Sequence, residues 1–240
     1  MLMKFLVCAL FYGDYPALAG RCAETLARLR STGRVDLRIG LNEVSAESAA
    51  RIAAQLPGVE MLTANPQLYK YPMMRRLVHD YGGDATHLMW FDDDSCLLPG
   101  VDAGAWLDRV AGATGSTGGT VGARYGFRPS ASQRAWVRKQ PWFTGRDVPE
   151  VTWFTTGGWL IAPLALLRRF DWPPAQLRHN GGDVALGALL HQHGLEPLHF
   201  REGVAINADD ALRESRAPRR GYSEDPIGHD RSFHERDSAK

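Results

Sequence analysis

The sequence predicts an α/β protein with a mixed, mainly parallel sheet flanked by helices. Short apolar runs of strand length alternate with helical periodicity through residues 1–100 of the 240-residue chain. Strand and helix alternating at this spacing are typical of βαβ units, whose helices cover both faces of the sheet. Because 44% of the residues are hydrophobic and 23% are charged, one domain with a substantial core is expected.

The first half of the chain alternates regularly between the two kinds of element. Apolar runs predict the strands, and apolar residues at helical spacing predict the helices between them. Pro57 and Gly58 end one of these helices, and Gly82 and Gly83 end another. The predicted elements are strand 5–11, helix 17–30, strand 35–41, helix 46–56, strand 59–62, helix 72–81 and strand 87–91.

The second half is less regular, and its last thirty residues are polar. A basic and aromatic stretch at 124–146 contains six basic residues and no acidic one. Pro163 suits the first turn of a helix, and Gly194 closes the last one. The predicted elements are helix 103–110, strand 120–125, a strand 153–162 interrupted at 157–158, a helix from 163 to about 170, helix 183–193 and a short strand at 197–200.

Charge and cysteine content exclude several classes of protein. Lys and Arg number 28 against 27 Asp and Glu, so no global field draws the chain to nucleic acid or membrane. No apolar run reaches the roughly 18–20 residues needed to cross a bilayer, and the apolar start predicts a buried strand rather than a signal peptide. The three cysteines, Cys8, Cys22 and Cys96, do not have the spacing of zinc ligands, and their odd number does not indicate a disulfide framework. A reducing, cytoplasmic setting is therefore expected.

Three consecutive carboxylates, Asp92, Asp93 and Asp94, directly follow the apolar strand 87–91. Ligands of open α/β sheets bind in the crevice beyond the carboxyl ends of the strands. Adjacent carboxylates repel one another unless a cation neutralises them, and their hard oxygens suit Mg²⁺ or Mn²⁺, which in turn hold phosphates. A solvated acidic turn is the alternative. The position of the triplet favours a site for a metal and a diphosphate.

Three motifs follow one another in order along the chain. They are Trp90-Phe91-Asp92-Asp93-Asp94, Trp153-Phe154-Thr155-Thr156-Gly157-Gly158-Trp159-Leu160-Ile161 and Gly181-Gly182-Asp183-Val184-Ala185-Leu186-Gly187. This order resembles the GT-A glycosyltransferases, particularly the inverting family-2 and Fringe/β-galactosyltransferase types. Those enzymes have a DxD motif, an "SGGAG"-like acceptor segment, an acidic residue opening a late helix, and a C-terminal metal-binding His. The resemblance covers about residues 4–205, and it departs from the pattern in that Asp183 has no acidic neighbour before it.

The resemblance implies a metal-dependent inverting transfer from a nucleoside-diphosphate sugar, with UDP as the expected nucleotide. Asp94 and Asp92 would hold Mn²⁺ or Mg²⁺ together with a late histidine. We place His229 first for that role, ahead of His199 and His234. The residues implied to bind the donor nucleotide are Phe11, Tyr12, Asn42, Glu43, Lys70, Arg75, Asp92 and Asp93.

The resemblance also implies the base and the acceptor side. Asp183 would remove the proton of the acceptor hydroxyl, although a carboxylate at a helix start can equally be only an N-cap. The segment implied to meet the acceptor contains Trp153, Gly157, Gly158 and Trp159, whose glycines allow close approach and whose indoles offer stacking faces.

The implied organisation is one domain over residues 1–240. Residues 1–100 would bind the nucleotide sugar, residues 101–210 would form the acceptor and catalytic half, and the polar tail 211–240 would act as a lid. A nucleic-acid acceptor, such as a hydroxymethylated base of DNA, is an alternative that the basic stretch keeps open. A nucleotidyltransferase and a catalytically silent nucleotide- or glycan-binding module are two further alternatives.

Overall fold

The computed structural model describes residues 3–66, 68–178 and 181–208 of the chain. The elements within these ranges are β1 (Phe5–Tyr12), α1 (Pro16–Arg30), β2 (Val35–Asn42), α2 (Ala46–Gln55), β3 (Glu60–Ala64), α3 (Lys70–His79), β4 (His87–Asp92), β5 (Cys96–Leu97), α4 (Ala103–Gly115), β6 (Val121–Phe127), α5 (Ala131–Arg138), β7 (Thr152–Pro163), α6 (Leu164–Arg169), α7 (Gly182–Gln192), β8 (Leu198–His199) and β9 (Val204–Ala205).

Seven of the described strands form one sheet in the order β3-β2-β1-β4-β7-β6-β8. The first four pair in parallel, β7 runs antiparallel between β4 and β6, and β8 pairs in parallel with β6. The predicted α/β class with a mixed, mainly parallel sheet is therefore confirmed. Its crevice lies at the carboxyl ends of β1, β2 and β4, where ligands of such sheets bind.

Helices cover both faces of the sheet, which explains why β1 is apolar throughout. Leu6, Cys8 and Leu10 pack with residues of α3, α6 and α7 on one face. Val7 and Ala9 point to the other face and pack with residues of α1 and α4. All three cysteines are buried free thiols. No helix in the part of the chain that the structure describes is both long and apolar enough to span a membrane.

The basic and aromatic stretch contains a helix, α5, that the sequence analysis does not predict. Its N-cap is Ser130, whose hydroxyl accepts the Gln133 N–H, while the Gln133 side chain accepts the Ser130 N–H. A Ser followed three residues later by Gln is the sequence signature of such a capping box, so the start of α5 has a local signal in the sequence. The short strands β5 and β9 are also not predicted, and β7 is continuous where an interruption at 157–158 is predicted. The remaining differences lie at element ends: α3 begins at Lys70 and α4 continues to Gly115.

Candidate active site

The acidic triplet lies where β4 ends, and its three carboxylates have different surroundings. Asp92 is the last residue of β4, and its backbone oxygen accepts the Ser95 N–H at 3.0 Å, which closes a turn. The Asp92 side chain is 25% exposed, whereas Asp93 is 2% exposed and Asp94 is partly buried. Asp92 and Asp94 are therefore partly exposed at the turn, and Asp93 belongs to its packed interior.

Both oxygens of the Asp92 carboxylate accept hydrogen bonds from the protein. The Trp90 indole N–H donates to Oδ1 at 2.8 Å, and the Lys70 ammonium donates to Oδ2 at 2.5 Å. Lys70 is the first residue of α3, and its ammonium also donates to the Gly157 carbonyl at 2.8 Å. Lys70 thus links the end of β4 to the middle of β7.

An irregularity in β7 turns the Gly157 peptide toward the crevice. Gly122 pairs with Leu160 but Arg124 pairs with Thr155, so β7 carries extra residues between these two points. Such bulges re-aim a strand locally and are frequent beside active sites. Here the bulge directs the Gly157 carbonyl to Lys70. The N–H of the same residue donates to Asp183 Oδ2 at 3.2 Å.

Asp183 lies in the first turn of α7 and faces the bulge of β7. Its Oδ1 accepts the Val184 N–H at 2.9 Å, in addition to the bond between Oδ2 and Gly157. The N-cap of α7 is Gly181, in the left-handed conformation with φ 77°, so Asp183 does not occupy the N-cap position. Burial raises the pKa of the Asp183 carboxyl, and the Lys70 charge and the backbone N–H groups lower it in part.

Tyr71 is a residue of this site that sequence reasoning missed. Burial raises the pKa of its phenol, and the nearby backbone N–H groups of Asp183 and Gly182 lower that pKa in part. A methyl group added at Gly182 would lie 2.2 Å from the Tyr71 ring, so only glycine fits there. The contact joins α3 to the start of α7, two elements far apart in sequence, and no local pattern signals it.

The last described residues return to the acidic turn. β9 pairs antiparallel with β5, the Ala208 N–H donates to the Asp94 carbonyl at 2.9 Å, and the Asn207 N–H donates to the Ser95 hydroxyl at 3.3 Å. A methyl group added at Gly158 would lie 2.2 Å from Asn207 Oδ1. The structure therefore places Asn207 beside Gly158 and the hydroxyl of Ser95, next to the acidic turn.

The histidines do not assemble at the acidic turn in the described part of the chain. His199 lies on β8 at the far edge of the sheet, where its Nδ1 accepts the Arg124 N–H at 3.2 Å, so its candidacy as a metal ligand is wrong. His229 and His234 lie outside the described residues, as does the tail 211–240. Within the ranges that the structure describes, no three His, Cys, Asp or Glu side chains group closely enough to hold a metal ion.

The residues at the turn nevertheless suit a hard cation that takes other ligands from a substrate. Mg²⁺ is usually bound by one or two carboxylates together with substrate phosphates rather than by a complete protein cage. Asp94 supplies such a carboxylate at the turn. Both oxygens of Asp92 accept hydrogen bonds from protein donors, and Asp94 Oδ1 accepts the Ser95 hydroxyl at 3.5 Å.

A pocket of about 410 Å³ opens at the ends of β1, β2 and β3. Glu43 is exposed there, and the pocket is lined by Gly13, Asp14, Glu43, Val44, Ser45, Thr63, Ala64 and Asn65. Tyr12, just before this lining, is partly buried with its ring edge-on to Tyr15. Of the residues predicted to bind the nucleotide, Glu43 lines this pocket, and its contact with a nucleotide stays a prediction.

Three predicted nucleotide contacts are corrected by the structure. Phe11 is 1% exposed and packs in the core, so its side chain cannot reach a ligand. Asn42 is buried, and its amide binds the Leu68 N–H and the Tyr69 carbonyl, which fixes the approach to α3. Arg75 pairs with Asp171 at 2.7 Å and donates to the Pro173 carbonyl, so it holds the segment after α6.

The acceptor segment divides in the same way. Trp159 is wholly buried against Phe91, Trp106 and Phe200, so its predicted stacking role is wrong. Trp153 is 44% exposed, with the Arg124 guanidinium 4.4 Å from its ring centre, and its role in stacking stays a prediction. Gly157 and Gly158 do allow close approach, but the described groups nearest them are protein side chains.

Most of the basic stretch 124–146 is bound to the protein itself. The Arg partners are acidic side chains and backbone carbonyls, and the pairs are Arg124 with Glu196, Arg128 with Glu150, Arg134 with the carbonyls of Val148 and Pro149, and Arg146 with the His191 carbonyl. Arg138 and Lys139 remain exposed. The stretch therefore forms local structure around α5 more than a continuous surface for phosphates.

No protein-family model and no curated protein sequence matches the chain. Among solved structures, it is similar to the mannosyltransferase PcManGT from Pyrobaculum calidifontis in complex with GDP-Man and Mn²⁺, with a TM-score of 0.56 and 13% identity over 83% of this chain and 55% of that one. It is also similar to S. aureus TarS, residues 1–349, with a TM-score of 0.54 and 12% identity over 83% of this chain and 58% of that one. The chain thus spans little more than half of either structure, and it shares their fold.

Proposed function

We propose that the chain is a metal-dependent inverting glycosyltransferase that moves a sugar from a nucleoside diphosphate to an acceptor hydroxyl. The observation that carries the proposal is a chain of contacts between two carboxylates at the ends of the strands. Asp92 at the end of β4 accepts from Lys70, Lys70 donates to the Gly157 carbonyl, and the Gly157 N–H donates to Asp183 of α7. The shared fold with a mannosyltransferase solved with GDP-Man and Mn²⁺ supports the proposal.

The donor would lie along the ends of the parallel strands. Its nucleoside would enter the pocket beside Glu43, and its diphosphate would extend toward Asp94. Mn²⁺ or Mg²⁺ bound there would neutralise charge that develops on the departing diphosphate. The sequence resemblance favours UDP, and the solved mannosyltransferase is in complex with GDP-Man, so both nucleotides belong in the test.

Asp183 would act as the general base. Its carboxylate takes the proton of the acceptor hydroxyl, whose oxygen then attacks the anomeric carbon from the face opposite the diphosphate. The bond between that carbon and the diphosphate oxygen breaks, so the configuration inverts. Two backbone N–H groups fix the carboxylate, which suits a base that must meet the hydroxyl in one orientation. The pKa of Asp183, raised by burial, strengthens it as a base.

A panel of nucleotides tests the donor assignment. We expect UDP or GDP to raise the melting temperature of the protein with Mn²⁺ and to raise it much less after chelation, because bound ligand stabilises the folded state. Asp94→Asn should abolish the metal-dependent part of the shift, and Asp147→Asn, at an exposed position away from the crevice, should not. If no nucleoside diphosphate shifts the wild type, the proposed function is wrong.

A further inference from the structure

Lys70 holds a central position in the crevice that nucleotide contact alone does not explain. Its side chain is 11% exposed, and its ammonium lies 6.0 Å from the ring centres of both Tyr71 and Trp90. Aromatic faces at this distance attract a cation, and the ion pair with Asp92 adds to the attraction. The ammonium is therefore fixed on the donor side of the crevice before any ligand arrives.

The same ammonium reaches the base side through one peptide group. It donates to the Gly157 carbonyl, and the Gly157 N–H donates to Asp183. A methyl group added at Gly157 would lie 3.1 Å from Lys70 Nζ and 3.6 Å from Asp183 Oδ2, so the two charges face each other across a glycine. An opposite charge at this range favours an ionised carboxylate.

We propose that Lys70 is a positioning residue that ties Asp92 on the donor side to the base Asp183, orients the Gly157 peptide and keeps Asp183 ionised. This inference rests on the proposed function, because it assigns Asp183 the role of base. The bridge makes the two halves of the site one charged unit, Asp92–Lys70–Gly157–Asp183. Loss of the Lys70 charge would leave Asp183 with burial opposed only by backbone N–H groups.

Several groups around Asp183 can influence the titration of its carboxyl. Lys70 and Tyr71 face it from α3, the Gly157 N–H from β7, and the Val184 N–H from its own helix, while Asp92 lies against Lys70 at the end of β4. Lys70 is the cation of this set. Tyr71 stays neutral because burial raises its pKa further above neutrality.

The test is a ¹³C NMR titration of the Asp183 carboxyl in the protein without metal or nucleotide, with the resonance assigned from Asp183→Asn. We expect Lys70→Met to raise the pKa of Asp183 by about one unit or more, because it removes an opposite charge at close range. Lys139→Met, which removes an exposed lysine at the end of α5, should leave the titration unchanged. An unchanged titration in Lys70→Met would overturn the inference.

Lys70→Arg separates the charge from the packing of the side chain. It keeps a cation beside Asp92 and should leave the Asp183 titration close to that of the wild type, even where the larger guanidinium lowers the melting temperature. If Lys70→Arg and Lys70→Met raise the pKa equally, the Lys70 charge is not the cause and the inference is wrong. A failure of the proposed function would appear instead as absent nucleotide binding, which this titration does not involve.

Discussion

At the scale of single residues, the three carboxylates of the acidic triplet differ in burial and in hydrogen-bond partners. Asp92 is bound by Lys70 and Trp90, Asp93 is buried in the turn, and Asp94 is partly exposed. The place of the triplet at the end of a buried strand could be predicted from the apolar run before it. The division of the triplet into three environments could not, because the partner Lys70 comes from another element.

The buried charge of Asp183 lowers the free energy of unfolding at neutral pH. Its pKa in the folded protein is raised above the unfolded value of about 3.9, so the folded state loses stability as the pH rises through the interval between the two values. We therefore expect Asp183→Asn to melt at a higher temperature than the wild type at neutral pH, because it removes a charge that burial disfavours. The advantage should shrink as the pH falls toward 4.

Melting temperatures of both proteins between pH 4 and pH 8 check this expectation. Asp147→Asn, at an exposed position, serves as the control and should follow the wild type at every pH. A difference between Asp183→Asn and the wild type that stays constant over this range would show that the carboxyl is not disfavoured by burial.

At the scale of elements, the site depends on close contacts between β7, α3 and α7. The sequence predicts that β7 is interrupted at Gly157 and Gly158, and the structure instead has a continuous strand with a bulge there. The glycines give a local signal for an irregularity. Its partners Lys70, Asp183 and Asn207 come from three other segments, so their identity depends on tertiary packing.

The packing of α7 on β7 can be tested with a pair of glycines. A methyl group added at Gly187, within α7, would lie 2.4 Å from the Trp153 carbonyl oxygen, whereas one added at Gly112, within α4, has open space around it. We expect Gly187→Ala to destabilise the fold by about 1–3 kcal/mol because it pushes the helix off the strand. Gly112→Ala should stabilise it by about 0.5–1 kcal/mol, because alanine restricts the unfolded chain.

Chemical denaturation of the two variants measures both free energies of unfolding. If Gly187→Ala were as stable as the wild type, the close packing of α7 that fixes Asp183 would be contradicted. Gly112→Ala controls for the general effect of an alanine within a helix.

At the scale of the whole molecule, one sheet brings together residues from distant parts of the chain. β1 to β4 run parallel and supply the pocket lined by Glu43 and the acidic turn, while β7 and α7 supply the opposite wall. The alternation of elements and the fold class could be read from periodicity. The near-neutral net charge of the chain does not indicate where its charges lie. The acidic triplet lies together at the end of β4, and most Arg residues of the stretch 124–146 pair with nearby groups of the protein.

The rate at which the protein releases nucleoside diphosphate from a sugar nucleotide tests the central claim most directly. The substrate is the sugar nucleotide whose nucleotide gives the largest metal-dependent thermal shift, with water or an added hydroxyl compound as acceptor. We expect Asp183→Asn to bind this donor as tightly as the wild type. We expect it to release the nucleoside diphosphate about 10²–10⁴-fold more slowly, which is the usual contribution of a general base. Release by Asp183→Asn within a few-fold of the wild-type rate, at equal donor occupancy, would contradict the account.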